Sequence, residues 1–405
     1  MNPQQHTTPD VRLGDRARGW STVALVAGLV GVAAAFFLST SRGDHGSRLQ
    51  HAWLVSAMFF VSISVGALFF VVVQHLTRAG WSVVVRRVAE LLAANVAIGA
   101  LLLVPILIQV LRGDASLYPW VDHDAAAHDP LLAKKAVVLN GAFFAARCVV
   151  YLGTWILLSR WLLRRSVEQD GARDAAPTLA LERRAAPAMI AFALTTCLAA
   201  FDLLMTLSPK WYSTIFGVYF FAGSVISFFA TTILVLRFLQ ARGILRGTVG
   251  VEHYHDLGKF LFAFVFFWGY IAFSQFMLIW YADLPEETFW YRDRLAGTWT
   301  QVSYVLLFGH FVLPFAGLLS RHAKRNLGVL TFWAAWMLVM HALDLYWLVF
   351  PKIQPFGASI TALDVAAFVG AGGLWAFGLL RTATRHSLVP IHDPRLHESM
   401  AFENL

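Results

Sequence analysis

Cysteine is nearly absent. The 405 residues hold two, Cys148 and Cys197, each inside a long apolar run. Neither CxxC nor CxxCH occurs, which excludes c-type haem attachment and a cysteine-ligated iron–sulfur cluster in this chain. Charge is scarce as well: 14% of residues are Asp, Glu, Lys or Arg, against 58% hydrophobic, and the mean hydropathy is +0.62. Soluble domains do not have such values. The net charge of +8 comes from basic residues scattered over short loops, a poor footprint for nucleic acid. No cleavable leader is expected either. Residues 1–19 are polar, the first apolar run is long, and no small-residue cleavage site follows it. That run is expected to stay in the chain.

Long apolar runs are what the chain has instead. A spanning helix needs about 20 apolar residues. Ten runs qualify, near 20–38, 53–73, 88–111, 137–163, 188–207, 213–239, 259–281, 297–319, 328–350 and 361–381. Counting loops with their helix mouths, the N-terminal tail, alternate loops and the C-terminal tail hold 22 of the 32 Lys and Arg, and the other five loops hold 9. Basic residues accumulate on the cytoplasmic side, so both termini are expected there, in a multi-pass protein of the bacterial inner membrane.

A repeat is visible within the runs. Asp202 lies in Phe201-Asp202-Leu203 and Asp344 in Leu343-Asp344-Leu345; seven residues on, each is followed by Pro-Lys, Pro209-Lys210 and Pro351-Lys352. The fourth run closes on Leu157-Leu158-Ser159-Arg160 and the eighth on Leu318-Leu319-Ser320-Arg321. The expected fold is therefore an all-α polytopic membrane protein with ten transmembrane helices. Two parallel-repeated four-helix bundles, helices 2–5 and 6–9, would carry helices 1 and 10 as additions. The expected divisions are a tail at 1–19, a peripheral first helix within 20–50, bundles at 51–210 and 211–355, a tenth helix within 356–381, and a tail at 382–405.

An ionisable group in hydrocarbon costs about 2.5–3.5 kcal/mol or more, so each one needs a reason. Arg147, Asp202, His310, His341, Asp344 and Asp364 all fall within runs. By position along their runs, Arg147, His310 and His341 lie near the midplane, and Asp202 and Asp344 lie in the outer half. His341 and Asp344 are three apart and share a helix face. Glu252, His253, His255, Asp256 and Lys259 crowd the inner mouth of the seventh run. Two readings stand for each group. The buried groups either pass protons or form satisfied pairs, Arg147 with Asp202 being one such pair. The mouth cluster is either a helix cap or a proton collector. Arg147 and His341 are also the candidates for contacting a quinone. The loop with Asp283, Glu286, Glu287 and Trp290 reads as an outer docking surface for a peripheral partner. No metal site is expected.

Two neighbouring stretches carry a resemblance. EHYHDLGKFLFAFVFFWGY precedes SQFMLIWYADLPEETFWYRDR, and FDLLMTLSPKWYSTIFGVYFFAGS lies upstream. Together they resemble the NrfD/PsrC-like integral membrane subunits, closest to the ActF subunit of alternative complex III, a quinol:electron acceptor oxidoreductase. The motif positions are His253, His255, Asp256, Lys259, Gln275, Glu286 and Glu287; the family pattern has Asn where this chain has Asp283. The resemblance implies a complex with a multihaem c-type cytochrome, an iron–sulfur protein, a monohaem cytochrome c and a paralogous NrfD-like membrane subunit, with a terminal oxidase as a further partner. Haem c and iron–sulfur clusters would belong to those partners, and menaquinone or ubiquinone would be the diffusible carrier. This chain would bind no cofactor of its own. It would scaffold the assembly and conduct protons through His253, His255, Asp256 and Lys259 inside, Arg147, His310 and His341 midway, and Asp202 and Asp344 outside. Oxidising quinol itself and acting as a standalone secondary transporter are the alternatives.

Overall fold

Ten helices of 21 to 32 residues, each apolar enough to cross a membrane, make up the body of the computed structural model. They are α1 (Arg16–Thr40), α2 (Ser47–Leu76), α3 (Val83–Leu111), α4 (Gly141–Gln169), α5 (Ala176–Leu207), α6 (Phe216–Ala241), α7 (Val251–Ala282), α8 (Trp299–Leu319), α9 (Leu327–Val349) and α10 (Ala362–Ala383). The structure describes residues 12–14, 16–40, 46–122, 124, 127–172, 174–355 and 357–404, and no strand occurs among them. Most of the expected tail at 1–19 lies outside the described residues. A bilayer accepts only elements whose backbone polar groups are internally satisfied, which is why hydropathy located all ten.

Helix ends differ from the expected runs where polar residues extend a helix beyond the hydrocarbon. The charged stretch 164–186, expected as a loop, is mostly helix, because α4 runs to Gln169 and α5 begins at Ala176. Helix α7 starts at Val251, so His253–Lys259 form its first turns. Pro285–Arg294, expected as loop, is a short helix with Pro at its start, Glu286 and Glu287 in its first turn and Arg292 and Arg294 in its last. Proline tolerates the first turn, and this charge order opposes the helix dipole. Two spans are irregular. Helix α3 breaks at Asn95, whose Nδ2 donates to the Trp375 carbonyl at 2.9 Å. Helix α8 holds a π-turn over Leu306–Val312. Pro314 has no N–H to offer the His310 carbonyl four residues back, and the indole N–H of Trp336 takes the Gly309 carbonyl at 2.7 Å.

Helix α2 is the axis of the bundle, with 94% of its most apolar window buried, and α6 follows at 78%. The two pack on each other; α2 also touches α3, α5, α9 and α10, and α6 touches α5, α7 and α9. Between helices in lipid the gain comes from close packing rather than from removing water. Gly66 accordingly lies so near α6 that a Cβ there would meet the Ser224 carbonyl at 2.2 Å. Helix α1 rests on α10 through Gly28, Gly31, Gly370 and Gly373; a Cβ on Gly31 would lie 2.5 Å from the Gly370 nitrogen. The last residues, expected as a polar tail, lie folded across the helix ends: Asp393 pairs with Arg86, Arg395 with Glu182, and the Ser399 hydroxyl donates to the Trp81 carbonyl at 2.6 Å. We refer to that side as the C-terminal end and to the side bearing Pro285–Arg294 as the acidic-loop end.

Candidate functional site

The interior of the second half of the chain holds a compact titratable group. His341 and Asp344 face one way from α9, as their spacing requires, and the π-turn of α8 turns His310 toward them. All three are buried, and one ligand atom from each lies within 4.8 Å of the others. The phenolic O–H of Tyr219, on α6, donates to Asp344. The indole of Trp268 lies over the His310 ring with centroids 3.9 Å apart. Gly223 makes room for the other imidazole; a Cβ there would sit 2.9 Å from His341 Cε1.

The hydrogen bonds assign the state of His341. The Ser62 hydroxyl donates to the Phe59 carbonyl at 2.7 Å, so it accepts from Nε2–H of His341 at 2.9 Å. Nδ1 is left as the lone-pair nitrogen, and it has no protein partner; neither nitrogen of His310 has one. These are open proton acceptors in a dry interior beside a carboxylate. Within 4.8 Å and at an effective dielectric of ~20, an imidazolium and a carboxylate would attract by about 3 kcal/mol, which offsets part of the cost of burying the two charges. Two imidazoles and a carboxylate are also a metal donor set. Tetrahedral zinc, with bonds of ~2.1 Å, needs ligand atoms about 3.4 Å apart, a spacing that the 4.8 Å envelope of this trio admits, and the Ser62 contact leaves Nδ1 of His341 free. The group suits proton exchange and also has the donor set of a metal site.

Arg147 and Asp202 are a different matter. They lie together: Nε and Nη2 of Arg147 donate to the two carboxylate oxygens of Asp202 at 2.7 and 2.8 Å. Tyr151 adds a hydroxyl at 2.9 Å, and Nη1 of Arg147 donates to the Val138 carbonyl at 2.8 Å. A carboxylate clamped this way is a pin between α4 and α5 and a poor relay. Asp364 is likewise engaged, capping α10 and bonding Arg48. Arg147 and His341, the two expected quinone contacts, belong to separate clusters.

The residues in the first turns of α7 hold the C-terminal segment. His253 Nδ1 accepts from the Gly250 N–H at 3.0 Å, and Nε2 donates to the Ser399 carbonyl at 2.9 Å. Both nitrogens are committed, so the ring is a neutral cap. Asp256 pairs with Lys259 and accepts from Asn404 at 2.9 Å; Glu252 pairs with Arg325. His255 is buried, with an unpartnered Nδ1. Among the described residues no hydrogen-bonded chain joins this cluster to His341. The expected file of side chains from mouth to midplane to outer half is thus three separate groups. On the acidic loop, Asp283 and Glu286 are exposed and Glu287 is half-buried. Trp290 faces inward, buried and stacked on Trp211 with centroids 4.4 Å apart, so it anchors the loop and offers nothing to a partner.

Several important residues were not legible beforehand. Tyr219 and Ser62 look ordinary in apolar helices. Glu90 lies within the expected third span and is wholly buried, bonded to Arg87 at 3.0 Å; Arg87 also holds Asp170 at 2.8 Å. Two arginines three and four residues before a membrane acid were the available signal. Along α2 and α6, the Ser227 hydroxyl lies 3.3 Å beyond Ser62, and Thr231 and Thr232 follow on α6 toward the C-terminal end, their hydroxyls buried and unpartnered. An apolar cleft of about 510 Å³ opens between α2, α9 and α10, with Ser56, Tyr346 and Asp364 among its walls. Neither a protein-family model nor a curated protein matches this chain.

Proposed function

We propose that this chain is a proton-conducting and scaffolding subunit of a respiratory quinol:electron acceptor oxidoreductase of the alternative complex III kind. It would lie in the inner membrane with both termini cytoplasmic. The observation that carries the proton role is the buried His310–His341–Asp344–Tyr219 group with its open imidazole nitrogens. Ionisable groups at such depth mark proton and ion pathways. The quoted sequence runs support the complex, and the skewed basic loops support the orientation. The repeat reading is supported by the two aspartates, each of which accepts a tyrosine hydroxyl, from Tyr151 and from Tyr219.

In this reading quinol oxidation, which releases two protons with its two electrons, takes place beside this chain. Partner subunits holding haem c and iron–sulfur clusters carry the electrons. Protons are taken up at the open Nδ1 of His341 and at the His310 ring, pass to Asp344, and leave past Tyr219 toward the acidic-loop end. Arg147–Asp202 and the His253–Lys259 cluster lie off this path and hold the bundle and the chain's end. The exposed Asp283 and Glu286 keep their place as a docking surface for a peripheral cytochrome.

The test is Asp344→Asn in the assembled complex. The number of protons released per electron should fall while the haem-bearing partners still co-purify. An unchanged ratio in an intact assembly would remove Asp344 from any path. A colourless protein purified alone, with no haem or iron–sulfur partner, would favour transport instead. The apolar cleft supports a second reading, a quinone held in this chain with its ring near Tyr346 and Ser56. A photoreactive quinone should then label Phe59 or Leu343, which line the cleft.

A further inference from the structure

The two Pro-Lys pairs take no part in the proton reading, yet the fold brings them together. Pro209-Lys210 follows α5 and Pro351-Lys352 follows α9; both pairs, with Ser208, Asp293 and Arg294, line one cavity of about 200 Å³ at the acidic-loop end. Arg294 is its unusual member. The residue is only 4% exposed, and its guanidinium donates to two neutral acceptors, the Trp290 carbonyl at 3.0 Å and the Leu348 carbonyl at 2.7 Å. Nε has no partner, and no carboxylate lies within ion-pair distance among the described residues. One face is covered by the Trp290 ring at 3.4 Å.

Burial pushes the Arg294 guanidinium down to about 9, so at neutral pH it is a cation without a counter-ion. A buried charge is normally paired, and arginine's planar fork matches oxyanions. Lys352 donates to the Leu207 carbonyl at 2.9 Å, which fixes its ammonium at the rim, and Lys210 pairs with Asp129 beside it. With Lys210 matched by Asp129, the lining sets Arg294 and Lys352 against a single carboxylate, Asp293.

We propose that this cavity binds a phosphate-class oxyanion, with Arg294 and Lys352 as its principal contacts. The source is either the phosphodiester of an anionic lipid or free phosphate. The site is independent of the proton reading and stands or falls separately.

The full chain, delipidated in mild detergent, would be examined by native mass spectrometry with added phosphatidylglycerol or phosphatidylcholine, and by thermal melting with inorganic phosphate. Wild type should retain one phosphatidylglycerol at least tenfold more strongly than Lys352→Gln, or be stabilised by millimolar phosphate that leaves Lys352→Gln unmoved. The first outcome assigns the lipid as source and the second the free ion. Lys210→Gln, an exposed change, should weaken the same signal while leaving the fold intact. Equal retention of both lipids by wild type and both variants, with no phosphate effect, would overturn the proposal.

Discussion

Arg147 and Asp202 offer the sharpest separation of pinning from proton transport. Arg147 makes two charge-assisted bonds to Asp202, at 2.7 and 2.8 Å, with side chains only 15% and 10% exposed. Arg147→Met would leave the carboxylate with Tyr151 alone. Removing one partner of a buried pair costs about 3–5 kcal/mol, or roughly a hundredfold or more in the unfolding constant. Asp202→Asn should cost about as much, since it strands the guanidinium. The double variant, with both charges gone, should lose far less than the sum, so the coupling energy should be at least about 2 kcal/mol. Steric-trapping measurements of unfolding in bicelles would give all three numbers. Because it keeps the packing, the double variant should also leave the proton-to-electron ratio of the complex unchanged. A cost below about 1 kcal/mol for Arg147→Met, additive single effects, or a fallen proton ratio in the double variant would refute this argument.

Other expectations follow from single contacts. Gly223→Ala places a methyl 2.9 Å from His341 Cε1; overpacking of this kind costs about 1–3 kcal/mol, and proton release should slow more than it does in a Gly→Ala control on the lipid face. Gly31→Val drives a side chain into the α10 backbone, where nothing can rotate away, so α1 should become accessible to cysteine labelling while α2–α9 stay protected. Asp393→Ala leaves Arg86 buried beside Glu90 with one acid fewer; limited proteolysis should then cut within 386–404 well before the helices. Lys324 donates to the Leu318 and Leu319 carbonyls at 2.7 and 2.9 Å, and burial holds its pKa below the ordinary lysine value. Its folded form binds fewer protons than its unfolded form, so its contribution to stability rises as pH climbs through the folded value toward 10.5. Lys324→Met should flatten that alkaline rise in denaturation curves while lowering stability at neutral pH.

Hydropathy alone determined the ten spans, because hydrocarbon leaves the backbone no choice but helix over that length. It determined as well that His341 and Asp344 look the same way, since three residues make almost one turn. What it left open was the rotation of each helix about its own axis. A span apolar on all sides carries no stripe to say which face meets which neighbour, so the partners of its few polar groups stay hidden. Tertiary packing decided that Arg147 meets Asp202, that His310 joins the α9 pair by way of a π-turn, and that Tyr219 closes on Asp344. It also decided that the mouth cluster holds the C-terminal segment, a contact between residues more than a hundred positions apart that no local pattern encodes. Span followed from composition; azimuth followed from how small residues such as Gly66 and Gly223 let particular groups approach.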